Sequence, residues 1–158
     1  MHMRYWMLIG VLLAGSAAAQ TPTEPAFANP APPHPELRPV LEEFGGVAGL
    51  QALMEDFMPM LVADPRTGPF FAEVDTERVK QRLVEQFCVI LGGDCQYEGL
   101  DMVAAHADMG VTHADFNRLV ELLQVAMDKR HIPTRAQNRL LAVLAPMHRE
   151  IIAAPEEE

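Results

Sequence analysis

The chain has 158 residues, 49% of them apolar, and carries a formal net charge of −10. That length is one domain's worth, enough for a single sizeable core. The acidic balance argues against a nucleic-acid surface and against electrostatic attraction to anionic lipid.

Arg4 precedes the apolar run Tyr5–Ala14, and Gly15-Ser-Ala-Ala-Ala19 follows it. A positive start, a short apolar stretch and a small-residue exit read as a secretory signal over residues 1–19, cleaved after Ala19. An uncleaved anchor is the alternative, although the run is short for a bilayer span. A periplasmic or secreted protein is therefore expected, with no membrane attachment after cleavage. Residues 20–40 contain Pro22, Pro25, Pro30, Pro32, Pro33, Pro35 and Pro39 and read as a disordered or polyproline-like linker. The folded domain is expected over 41–152, and the acidic tail over 153–158.

The remaining pattern is helical, with little that reads as strand. A short helix from Glu36 to Phe44 stops at Gly45-Gly46. The next, Val47 to Ala63, shows an apolar stripe of Leu50, Leu53, Met54, Phe57, Met58 and Leu61, with a kink expected at Pro59. A short turn leads to Phe70-Phe71. Asp75 then caps a helix reaching Leu91, on which Val79, Leu83, Gln86, Phe87 and Ile90 share a face. Thr112-His-Ala-Asp115 forms a capping box for a helix over 113–130, striped by Phe116, Leu119, Val120, Leu123 and Met127. Pro133-Thr134 opens the last long helix in a similar way. Leu140, Leu141, Val143, Leu144, Met147 and Ile151 face inward on it.

Between the third and fourth long helices the chain breaks at Gly92-Gly93 and resumes as a short segment carrying His106 among small and apolar residues. That placement suits an imidazole aimed at something buried, or a core histidine satisfied by a backbone carbonyl. Cys88 and Cys95 flank the break. If the chain folds back there, their Cα atoms come within the ~4.4–6.8 Å a disulfide needs, and an oxidising compartment favours it. Two buried thiols are the other reading. No Cys-x-x-Cys-His suggests covalent c-type haem attachment, and two Cys with no well-spaced His pair fall short of a structural zinc site.

The order of these features resembles the group I truncated haemoglobins. The matching elements are Phe44-Gly45-Gly46, Glu55-Asp56-Phe57, Leu61-Val-Ala-Asp64-Pro65, Phe70-Phe71, the Gly92-Gly93 break, Tyr97-x-Gly99, Met102, His106 and Gly110-Val-Thr112. Together they span residues 41–152. The resemblance implies an all-α fold, the two-on-two helical sandwich. It also implies non-covalent haem b with His106 as proximal iron ligand. By the same token Phe71 would pack flat on the ring, and Val79, Leu83, Phe87, Met102, Val111, Phe116, Leu119 and Val143 would line the pocket. Arg82 matches a basic family position that pairs with a haem propionate.

The distal side departs from the family. Met58 stands where group I proteins usually have Tyr, and Leu83 where they usually have Gln. Val79 adds no donor, which leaves Gln86 as the one candidate for a deep hydrogen bond. Losing one good donor costs on the order of 1–3 kcal/mol, so oxygen is expected to leave quickly. The function implied is reversible binding of oxygen, nitric oxide or carbon monoxide at a pentacoordinate iron, with an unidentified reductase as partner. Two other readings remain open. One is a haem-dependent redox enzyme, for nitric-oxide oxidation or peroxidase-like chemistry, although Met58, Val79 and Leu83 offer no acid–base group. The other is a haem-free helical module that binds an apolar ligand or a partner. His113, His131 and His148 fall near helix ends or on exposed flanks and are given no catalytic role.

Overall fold

Side-chain caps fix the starts of three of the helices. The computed structural model describes residues 29–152. The signal expected over 1–19, the linker up to residue 28 and the tail over 153–158 lie outside that range. Helix α1 (Arg38–Glu43) and helix α2 (Gly46–Ala63) come first. Pro59 sits inside α2 on an exposed flank, and the helix continues through it without interruption. A 3-10 turn, Gly68–Phe71, leads to α3 (Thr76–Ile90). Its N-cap Asp75 accepts from the backbone N–H groups of Glu77 (3.1 Å) and Arg78 (3.2 Å), satisfying donors the first turn would leave unpaired.

Short α4 (Met102–Ala105) is capped by Asp101, whose carboxylate accepts from Ala104 N–H at 2.8 Å. Helix α5 (His113–Lys129) opens on a complete capping box. Thr112 Oγ1 accepts from Asp115 N–H at 3.3 Å, and Asp115 Oδ2 accepts from Thr112 N–H at 3.0 Å. The final stretch differs from the single helix expected. It divides into α6 (Thr134–Leu144), a 3-10 turn (Ala145–Met147) and α7 (His148–Ile151). Pro146 has no N–H to give, and its ring crowds the preceding turn. The start of α6 also lacks the side-chain cap expected there. Buried Gln137 ties the corner instead, donating to the Ile132 carbonyl (2.9 Å) and to Asp128 Oδ1 (2.8 Å).

Helix α2 packs most extensively on α3 and next on α5, while α6 touches both α3 and α5. The result is an all-α, two-on-two helical sandwich. Its centre holds the whole α2 stripe (Leu50, Leu53, Met54, Phe57, Met58 and Leu61) together with Phe87, Ile90, Leu123, Met127 and Leu140. Each such side chain contributes roughly 1.5–3 kcal/mol by leaving water. Leu122, Ala126 and Ala136 join this core although the sequence stripe omitted them. Among the described residues no helix is long and apolar enough to cross a membrane.

Of the stretch expected to be a disordered or polyproline-like linker, residues 29–40 are described. Pro35–Leu37 forms a 3-10 turn, and Ala31 and Leu37 are buried. Proline lowers the entropy an extended segment loses on docking, so a few apolar contacts suffice to hold it.

Candidate functional site

His106 follows directly on α4, and its Nδ1 lies 2.8 Å from the Met102 carbonyl oxygen one turn back. A carbonyl can only accept, so Nδ1 carries the proton and Nε2 keeps the lone pair. Nε2 has no hydrogen-bond partner among the described residues, and it is not sealed from solvent. The ring is thus held by one nitrogen and presents the other as a base. Backbone strain follows immediately, with Asp108 at φ 59°. Such a conformation costs a non-glycine residue energy that the surrounding fold must supply.

The apolar residues expected around a cofactor fall into two sets. Phe87, Met102 and Val111 are buried. Phe71, Val79, Leu83, Phe116, Leu119 and Val143 are only half buried. They come from the Gly68–Phe71 turn, α3, α5 and α6, and all but Phe116 pack against the same core cluster. Leaving that much apolar surface wet is unfavourable by roughly 25 cal/mol per Å², and a flat apolar ligand would recover it. A free imidazole nitrogen and half-buried apolar side chains are the kinds of groups that hold haem.

Met58 is buried within α2, and Val79 and Leu83 lie one turn apart on α3, so none of the three supplies an N–H or O–H donor. Gln86, expected to supply one on the distal side, has its amide engaged elsewhere. Its Nε2 donates to the Pro30 carbonyl at 2.6 Å and sits 4.0 Å from Met102 Sδ and 3.8 Å from Met147 Sδ. A buried amide must find a partner, and this one finds it in the leading segment. Arg82, expected beside a propionate, pairs here with carboxylates: its guanidinium donates to Glu85 Oε2 at 2.6 Å and reaches Glu98 Oε2 at 3.5 Å. The Glu85 hydrogen bond is the main reason its pKa is raised.

Cys88 and Cys95 form a disulfide with their Cα atoms 6.0 Å apart. Gly92 makes the reversal with φ +74°, and Gly93 N–H closes back on the Cys88 carbonyl at 2.8 Å. Beyond the bridge, Tyr97 Oη donates to the Leu100 carbonyl at 2.8 Å, and partial burial raises the phenol's pKa. Sequence reading missed one neighbourhood. The His148 ring lies 6.0 Å from both Phe116 and His113, and its Nδ1 donates to the Ala145 carbonyl at 2.8 Å. The Pro146 break brings it there, and that break was the available signal.

Two surface grooves do not include His106 in their walls. One, of about 460 Å³, runs past Pro30, Val89, Tyr97 and Asp101. The other, of about 960 Å³, follows α2 and α3 past Gln51, Glu55, Arg78 and Gln81. The second is lined largely by solvated or ion-paired charge, and neither contains a free base like His106 Nε2.

The profile of the bacterial-like globin family matches residues 39–153. A group 1 truncated hemoglobin of Mycolicibacterium paratuberculosis is 29% identical over 112 residues, covering 71% of this chain and 82% of that protein. The crystal structure of truncated hemoglobin from Tetrahymena pyriformis in the Fe(III) form superimposes with a TM-score of 0.69 at 22% identity, over 73% of this chain and 98% of that one. The 2/2 hemoglobin from Synechococcus, in the cyanomet state and with covalently attached heme, gives 0.67 at 22% identity, over 72% and 97%.

Proposed function

The chain belongs to the bacterial-like globin family, and from that premise we propose that it binds haem b non-covalently through His106 and reversibly takes up oxygen or another diatomic gas. One observation carries the reading. The Nδ1–H of His106 is committed to the Met102 carbonyl, and Nε2 is left free. This tautomer is the one a metal-ligating imidazole needs, and the carbonyl fixes the ring's orientation. Haem supplies an iron centre with one open position for a small ligand. The chain's residues then set what that ligand meets.

Phe71, Phe116, Leu119 and Val143 keep water away and offer flat apolar contact. Met58, Val79 and Leu83 give a gas molecule shape and little else, so oxygen is held weakly and released fast. The same lack of donors and acids disfavours peroxide chemistry at this site. A pocket of this kind needs a reductase to keep the iron ferrous. The Cys88–Cys95 bridge suits the oxidising compartment that a leader over 1–19 would deliver the protein to.

Absorption spectra of the purified protein, ferric and then dithionite-reduced, test the reading. A Soret band lost in His106→Ala is the expected result. A wild-type protein that stays colourless and refuses hemin overturns it. Recovering the mature chain, begun at Gln20, from periplasm or medium tests the export.

A further inference from the structure

We infer that residues 29–35, which precede the family match, act with Gln86 as a strap that positions His106. It rests on the haem reading for its meaning, and on three linked contacts for its core geometry. Gln86 Nε2 donates to the Pro30 carbonyl at 2.6 Å across 56 positions of sequence, and Ala31 beside it is 3% exposed. The same amide nitrogen lies 4.0 Å from Met102 Sδ. The backbone carbonyl of Met102 is the group that holds His106 Nδ1 at 2.8 Å. One buried amide therefore links the leading segment to the residue that orients the imidazole.

The segment is fastened further along its length. It crosses the Gly92 turn so closely that a Cβ there would meet the His34 carbonyl oxygen at 2.7 Å and Pro35 Cα at 3.0 Å. Just beyond it, Arg38 donates to Asp94 Oδ2 at 3.1–3.2 Å, inside the loop closed by the disulfide. The ties fall on both ends of the connection that delivers α4: Gln86 and Met102 on the inner side, Gly92 and Asp94 on the outer.

An unpaired buried amide is costly, so Gln86 holds the strap and the strap holds Gln86. With the strap lifted, the amide turns to water and the packing against Met102 loosens. The carbonyl that orients the ring then loses its fixed direction. Gln86 touches neither ligand nor cofactor in this scheme. It is a positioning residue acting through Met102, and groups that orient a ligating imidazole tune both its basicity and its hold on the metal.

The test uses the full mature chain loaded with hemin and two variants, Gln86→Met and Ala31→Arg. The first keeps side-chain length and removes the donors; the second forces the strap off its seat. In the reduced proteins the iron–histidine stretching band is read by resonance Raman. Hemin loss to an excess of apomyoglobin is timed alongside. Each variant should shift and broaden the band and speed hemin loss about tenfold, at the lower end of what outer partners of metal ligands cost. The double variant should go no further than either single, because both cut one link. A wild-type band in either variant, or effects that simply add, overturns the strap. Hydrogen exchange of residues 100–107 in the haem-free proteins gives a second readout. Faster exchange in both variants supports the strap, and exchange unchanged from wild type rejects it. If the wild-type chain itself takes up no hemin, the proposed function falls, while the exchange experiment still decides the strap.

Discussion

His106 Nδ1 and the Met102 carbonyl oxygen sit 2.8 Å apart, four residues from one another along the chain. The carbonyl fixes which nitrogen is protonated, so the fold has chosen a tautomer before any metal arrives. His106→Gly should therefore reduce hemin affinity by at least about 100-fold, more than the loss of an outer partner costs. Free imidazole added to the variant should restore a five-coordinate ferrous spectrum, since the cavity left has the shape of the lost ring. Hemin uptake by the variant equal to wild type, with no imidazole present, would remove His106 from the site.

The missing donor on α3 leads to a second expectation. Leu83 lies one turn after Val79 and is half buried, so Leu83→Gln adds an amide to a face whose own amide, Gln86, is committed to the Pro30 carbonyl. A hydrogen bond to a bound gas of partly negative character stabilises it by about 1–3 kcal/mol, which slows release roughly 10- to 100-fold. Stopped-flow oxygen release measures this directly. A variant that releases oxygen as fast as wild type would mean that the gas does not sit against Leu83.

The Cys88–Cys95 bridge closes a short loop, a separation of seven residues, between the end of α3 and the connection to α4. Loop-closure entropy for so small a ring is worth about 2 kcal/mol. Cys88→Ala with Cys95→Ala should lower the urea midpoint by the corresponding amount. It should also raise hydrogen exchange mainly in residues 92–101. Reduction of the wild type should reproduce both changes. A double variant with unchanged stability would show that the helix end and the Arg38–Asp94 pair already hold the loop.

What the sequence disclosed follows from how far each signal reaches. The α2 stripe from Leu50 to Leu61 is wholly buried because 3.6-residue periodicity is local and strong. The caps at Asp75 and Thr112 rest on side chains two or three residues from their targets. The His106 segment was legible through the order of its neighbours. Gln86, in contrast, satisfies its amide 56 positions away, and a helical face says nothing about that. The pairing of Arg82 with Glu98 likewise depends on how the loop after α3 folds, which helical spacing does not encode. The break at Pro146 was overridden by an apolar stripe that continues on both sides of it. Ala126 and Ala136 pack fully but are too small to stand out in a pattern of large residues.

Asp56 joins α2 to the far end of α5. Its Oδ1 accepts from Lys129 Nζ at 2.5 Å and its Oδ2 from Arg130 Nε at 2.6 Å. The Lys129 hydrogen bond is the main cause that depresses the carboxyl pKa below its ordinary 3.8; Arg130 adds to it, and desolvation opposes both. Asp64 is lowered in the same direction, chiefly by Arg118. A depressed folded-state pKa means that the unfolded chain takes up protons first as pH falls. The stabilisation is therefore fully present above the ordinary carboxylate value and is lost as pH drops through the lower, folded one. Asp56→Asn should unfold at lower urea than wild type at pH 7, and the gap between the two should close as pH falls below about 4. Because both cations are partly exposed, 1 M salt should narrow the gap at pH 7 as well. Urea midpoints at pH 7 and pH 3, with and without salt, measure this. A gap of equal size at both pH values would mean that Asp56 contributes through packing and not through its charge.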